Sequence, residues 1–103
     1  MTDAYTTGVW VAEPGHEADF VEAWKEFATW AASRPGAGTL RLTQDLADRS
    51  RFVSFGRWDS IDDAHTWKSD PGFGPRMAQV QKHVARFEPA ELEELVAVAP
   101  PAS

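Results

Sequence analysis

The feature that most limits the fold is a switch of apolar period, from strand-like to helical and back, made more than once along the chain. Residues 4–12, Ala-Tyr-Thr-Thr-Gly-Val-Trp-Val-Ala, are rich in β-branched and aromatic side chains and carry no charge. Such a run reads as a strand buried on both faces, and Pro14-Gly15 ends it. From His16 to about Ser33 the spacing becomes helical. Phe20, Ala23, Trp24, Phe27, Trp30 and Ala31 recur three and four residues apart, while Glu17, Asp19, Glu22, Lys25, Glu26 and Thr29 fill the other side. This predicts an amphipathic helix with an acidic first turn, which suits the helix dipole. Arg34-Pro35-Gly36 stops it, because proline cannot continue the hydrogen-bond ladder.

Residues 38–46 alternate and predict a second strand, and residues 51–58 (Arg-Phe-Val-Ser-Phe-Gly-Arg-Trp) predict a third. The short polar turn between them, Ala47-Asp48-Arg49-Ser50, makes the pair an antiparallel hairpin. Ser60 and Asp63 have the spacing of a weak capping box opening a second helical region, in which Ala64 and Trp67 share a face. Pro71-Gly72 interrupts it, and Gly74-Pro75 restarts a helix whose stripe is Met77, Val80, Val84 and Phe87, with Pro89 as its stop. Residues 92–98 read as a last strand, and residues 100–103 as a disordered tail behind a single domain over 1–99. The order β-α-β-β-α-β predicts an α+β, ferredoxin-like fold with a four-stranded antiparallel sheet and both helical regions on one face. Val9, Val11, Val53 and Phe55 then share the uncovered face. A bare apolar sheet face calls for a partner, and two such faces packed together give a two-fold homodimer.

Composition narrows the function classes. The 103 residues contain no cysteine, which excludes thiolate nucleophiles, disulfides and Cys-ligated zinc. Net charge is −6, which disfavours nucleic acid, and Arg41, Arg49, Arg51 and Arg57 sit among strand residues and not in a basic arm. No apolar run reaches the ~20 residues of a membrane span, and the N-terminus lacks a signal-peptide pattern. The expectation is a cytoplasmic protein without membrane or nucleic-acid partners. Five Trp and six Phe are a heavy aromatic load for this length. They imply a core, pocket or subunit interface built from rings. The three histidines are scattered and show no metal-ligand spacing, so no metal site is expected. Gly36-Ala37-Gly38 lacks the phosphate-cradling fingerprint.

Four stretches carry a family resemblance: Val-Trp-Val-Ala-Glu-Pro-Gly-His-Glu before the first helix, Arg-Pro-Gly-Ala after it, Phe-Val-Ser-Phe-Gly-Arg-Trp-Asp-Ser, and Ala-His-Thr-Trp-Lys-Ser-Asp-Pro-Gly-Phe. In order and spacing the chain resembles the antibiotic biosynthesis monooxygenase family of dimeric α+β barrels. The resemblance implies a pocket between sheet and helices in each subunit. It also implies cofactor-independent oxidation of phenolic, polyketide-like rings to quinones by molecular oxygen, or, in another branch, haem binding and degradation. Trp67 matches the pocket tryptophan of the second helical region. Gly8 stands where the haem branch has an asparagine and Arg76 near that branch's iron-ligating histidine, so both haem hallmarks are missing. Asp63 replaces an asparagine of the oxygenase branch and Phe73 a tyrosine. Those two replacements keep open a second reading, a non-catalytic small-molecule-binding dimer.

The residues themselves support a site of the same kind. Gly8 leaves a gap on the first strand, and Trp10 shares its face. With Trp67 and Phe73 they form an aromatic slot for a flat ring. Arg76 and His83, on a helix stripe with Val80 and Phe87, are the candidate catalytic pair: Arg76 to stabilise an anion, His83 as base. Plainer readings stand beside these. Trp24, Phe27 and Trp30 have core spacing, and Gly8 serves packing equally well. His83 suits a helix-end role, Arg76 suits a carboxylate partner, and His16 and His65 suit the surface.

Overall fold

The computed structural model describes residues 3–102. The elements are β1 (Ala4–Ala12), α1 (Glu17–Ala32), β2 (Ala37–Gln44), β3 (Arg51–Trp58), α2 (Ile61–Lys68), α3 (Phe73–Gln81) and β4 (Val84–Glu93). The strands form one antiparallel sheet in the order β2-β3-β1-β4. The fold is therefore the ferredoxin-like α+β arrangement, with β1 and β3 central. Among the described residues, no helix is long and apolar enough to cross a membrane.

One sheet face is the floor of the core. Burial alternates along β3, with Phe52, Ser54, Gly56 and Trp58 turned under the helices and Arg51, Val53, Phe55 and Arg57 turned away. Alternation follows from the period of two in a strand. β1 behaves likewise: Ala4, Gly8, Trp10 and Ala12 are buried, whereas Val9 and Val11 are only half-buried. The strand is thus not buried on both faces, because the helices of this chain cover one face and leave the other open. Phe20, Trp24, Phe27, Ala28 and Ala31 of α1 close the core from above, with Ala64 and Trp67 of α2 and Val80 of α3.

Ser60 caps α2: its Oγ accepts the Asp63 backbone N–H at 3.1 Å and donates to the Asp63 carboxylate at 3.1 Å. Gly36, at φ +81°, lies so close to Asp63 that a Cβ there would collide with its carboxylate. The left-handed backbone and the close approach both call for glycine.

The last third of the chain departs from the periodicity. α3 ends at Gln81, so Val84 and Phe87 are not on its stripe but on β4. A register shift where β1 passes from Val11 to Ala12 explains the confusion. Phe87 pairs with Trp10 and Val84 with Ala12, so residues three apart face the same side. A bulge therefore imitates helical spacing. Pro89 does not end a helix; it sits in β4 opposite Gly8, on an edge strand, where a residue without an N–H is tolerated. The expected strand at 92–98 is displaced to 84–93. β1 begins at Ala4, which pairs with Glu93, and a last bond runs from the Glu94 N–H to the Asp3 carbonyl at 2.9 Å, so β4 ends where the described part of β1 does. Leu95, Val96 and Val98 lie exposed.

Candidate functional site

A cavity of about 250 Å³ lies between sheet and helices. Its floor is Thr6 and Trp10 of β1, Ser54 and Gly56 of β3, Leu40 of β2, and Phe87 and Pro89 of β4. Its roof is Trp24 and Phe27 of α1, Trp67 and Lys68 of α2, and Phe73 and Met77 of α3. The strands place their side chains by parity, and the helices by their inward faces.

Aromatic packing fixes the roof. Trp67 stacks on Trp58 with ring centroids 4.8 Å apart and meets Phe73 edge-on at 5.0 Å. Phe27 stands 5.7 Å from Trp67 and 5.6 Å from Phe73. On the floor, Trp10 stacks on Phe87 at 3.8 Å. Gly8 permits this stack, because a Cβ there would lie 2.7 Å from both Phe87 Cε1 and Trp10 Nε1.

Few polar groups interrupt the apolar lining. Trp10 Nε1 donates to Ser54 Oγ at 2.9 Å, inside the core. Trp67 is 6% exposed, and its indole N–H is buried without an acceptor. An unmet donor of this kind costs about 1–3 kcal/mol. Lys68 is the ionisable residue of the lining, and its ammonium donates to Glu91 Oε2 at 3.0 Å. His65 Nε2 reaches the same carboxylate at 3.1 Å. Hydrogen bonds from Lys68 first, and His65 second, hold the Glu91 carboxyl below the usual carboxylate range.

The structure brings Trp10, Trp67 and Phe73 together in this lining, with Gly8 beneath Trp10. It does not bring Arg76 or His83 there. The guanidinium of Arg76 lies 4.8 Å over the ring of Trp30, a cation–π contact in place of an anion pair. His83 follows α3 instead of belonging to it, so the helix stripe shared by Arg76, Val80, His83 and Phe87 does not exist. Its Nδ1 lies 3.2 Å from His16 Nδ1. Asp63 is engaged in the α2 cap. Trp24 and Phe27 serve both core and cavity.

Sequence reasoning missed Ser54 and Lys68. Ser54 had a signal: it is a polar residue on the buried parity of β3, between Phe52 and Trp58. Lys68 had only its place next to Trp67. The lining contains no histidine or carboxylate, so it offers haem iron no side-chain ligand of those types. The histidines and carboxylate that do converge, His16, Asp19 and His83, lie outside it.

Fold and cavity define the class: a ferredoxin-like α+β domain enclosing a small aromatic chamber between sheet and helices. The antibiotic biosynthesis monooxygenase family model matches residues 7–77, more than half of the chain, and the chain belongs to that family. Among solved structures it is similar to SnoaB from Streptomyces nogalater, a cofactor-independent oxygenase, with a TM-score of 0.88 at 16% identity over 97% of this chain and 100% of that one. A proposed antibiotic biosynthesis monooxygenase from Deinococcus radiodurans superposes with a TM-score of 0.84 at 18% identity, covering 96% and 99% of the two chains. PA3566 from Pseudomonas aeruginosa gives 0.78 at 16% identity, covering 93% and 97%. No curated protein matches the sequence.

Proposed function

We propose that this protein is a cofactor-independent oxygenase that holds a flat phenolic or quinone-type molecule in the cavity and oxidises it with molecular oxygen. One observation carries the reading: an aromatic chamber with a single cation, Lys68, in its lining and an indole N–H, Trp67 Nε1, that lacks an acceptor. A ring phenolate would accept from Lys68, whose ammonium keeps donors beyond its bond to Glu91, and, after a small turn of the Trp67 ring, from the indole N–H. Charge and hydrogen bonding favour the ionised form of a ring hydroxyl placed there. Trp10, Phe73 and Trp67 offer ring faces and edges to the substrate, and Gly8 keeps the Trp10–Phe87 floor flat. The anion then supplies the electrons: a ring methylene and O2 become a carbonyl and water. Family membership and the likeness to SnoaB support the reaction class. Arg76 and His83 take no part in this reading, since neither lines the cavity.

Oxygen uptake with anthrone-type and hydroquinone substrates tests it. Trp67→Phe and Lys68→Met should each slow turnover by about a hundredfold, the scale of losing one anion-stabilising donor. Absence of turnover, or turnover indifferent to both substitutions, overturns the oxygenase. The engagement of Asp63 in a cap and the missing hydroxyl at Phe73 favour a second reading, a sequestering protein. A tightly bound ligand recovered unchanged would select it.

We also propose that two copies pair through the open sheet face. Val9, Val11, Val53 and Phe55 line that face, and Leu95, Val96 and Val98 follow β4 without packing in their own chain. An open sheet face with apolar side chains and an unpacked apolar segment after it both call for a partner. Sedimentation should give a dimer for the wild type and a monomer for Val53→Glu; a wild-type monomer at micromolar concentration sinks the idea.

A further inference from the structure

The fold joins side chains that the sequence scatters. His16 precedes α1, Asp19 lies in its first turn, and His83 follows α3, yet one ligand atom from each lies within 4.8 Å of the other two. We propose that His16, Asp19 and His83 form a binding site for a divalent first-row transition-metal ion, outside the aromatic cavity and independent of it.

The geometry of the imidazoles carries the argument. Their Nδ1 atoms are 3.2 Å apart. Two nitrogens bound to one ion at 2.0–2.1 Å in tetrahedral geometry lie about 3.3 Å apart. The pair therefore already has the separation of one edge of a coordination sphere. Both rings would take the Nε2–H tautomer and turn their Nδ1 lone pairs to the ion. Asp19 stands three residues after His16, the spacing that puts two side chains on one side of a helix.

The backbone holds the two histidines in place without help from their side chains. The Glu13 N–H donates to the His83 carbonyl at 2.9 Å, and the Glu13 carbonyl accepts the His16 N–H at 2.9 Å. Glu13 thus links both. The His83 N–H donates to Val80 at 3.1 Å, and the His16 carbonyl accepts from Phe20 at 2.8 Å. His16 occupies the N-cap position of α1 but makes no side-chain capping bond, so its ring is free of that duty.

Donor chemistry names the ion class. Two imidazoles and one carboxylate suit Zn²⁺, Fe²⁺, Co²⁺ or Ni²⁺ better than Mg²⁺ or Ca²⁺, which take mainly oxygen ligands. Three protein ligands leave at least one position for water. A bound ion would clip the start of α1 to the α3–β4 turn.

The competing explanation is a plain hydrogen bond between two histidines, and metal titration separates the two. Tag-free protein stripped with chelator is titrated with Zn²⁺ by calorimetry and with Co²⁺ by visible absorption. The expected result is saturable binding of one ion per chain, with ligand-field bands of a nitrogen–oxygen site. His16→Gln and His83→Gln should abolish it. Asp19→Asn should weaken it at least as much as losing an outer-shell partner does, about tenfold or more. Glu17→Gln, an acidic first-turn residue outside the cluster, should bind like wild type. Because backbone bonds position both histidines, the metal-free variants should match the wild type in circular dichroism and thermal midpoint. Zn²⁺ should raise that midpoint only in the wild type and Glu17→Gln. No saturable binding, one ion per two chains, or binding that survives both histidine substitutions overturns the proposal.

Discussion

Ser54 shows how much one hydroxyl decides. It is 8% exposed on the core side of β3 and accepts the Trp10 indole N–H. That bond fixes the ring of Trp10, which stacks on Phe87 and floors the cavity. Ser54→Ala removes the acceptor and leaves a buried donor unmet, so it should lower stability by about 1–3 kcal/mol in chemical denaturation. A change below a few tenths would show that the indole finds another partner. Several cavity residues were legible from the sequence: Trp10 and Trp67 follow from strand parity and helical spacing, which report inward direction, and Phe73 from the family resemblance. Arg76 and His83 were not, for two different reasons. The guanidinium of Arg76 found a ring, Trp30, that no spacing links to it. His83 was assigned to a helix that ends before it, and its real neighbour, His16, is brought close only by tertiary folding. The metal cluster was invisible for the same reason, since ligand spacing along a chain says nothing about loops that meet.

At the scale of elements, α2 depends on its first residue. The Ser60 hydroxyl satisfies one helix-start donor and also binds Asp63. Ser60→Ala should cost about 1 kcal/mol, seen as a lowered denaturation midpoint, while Ser60→Thr, which keeps a hydroxyl able both to cap and to donate to Asp63, should cost less. The cap also bears on the site, because Trp67 and Lys68 lie in this short helix. β1, α1, β2 and β3 were readable within two residues at their ends, and each is bounded by proline, glycine or a polar turn. β4 was not readable, because a bulge gives Val84 and Phe87 a helix-like interval and because Pro89 looks like a stop where it is a permitted edge residue. The Leu-Val-Ala-Val-Ala stretch has strand composition yet pairs with no strand among the described residues, so composition alone misplaced the last element. Propensity yields here to the availability of a pairing partner.

For the whole molecule, exposed carboxylates set the response to acid. Hydrogen bonding from Arg57 holds the Asp3 carboxyl below its ordinary value, and the Ala47 backbone N–H does the same for Asp45. Glu91 is lowered by Lys68 and His65. Each carboxyl binds its proton more weakly when folded than when unfolded. Their stabilisation is therefore present above the unfolded values, about pH 4, and is lost as pH falls through the lower folded values. Denaturation midpoints should hold from neutral pH to about 5 and drop below 4. Asp3→Asn should reduce the steepness of that drop, and an unchanged acid profile would remove Asp3 from the account. Pro89 has a consequence at this scale too. It interrupts the row of backbone donors on β4, and Arg86 and Glu88 place charges along the same strand. A neighbouring chain that tried to lengthen the sheet sideways would meet a gap in the zipper and two ions to desolvate. Fibril-like, end-over-end growth is thereby discouraged, and a finite assembly is favoured over an endless one.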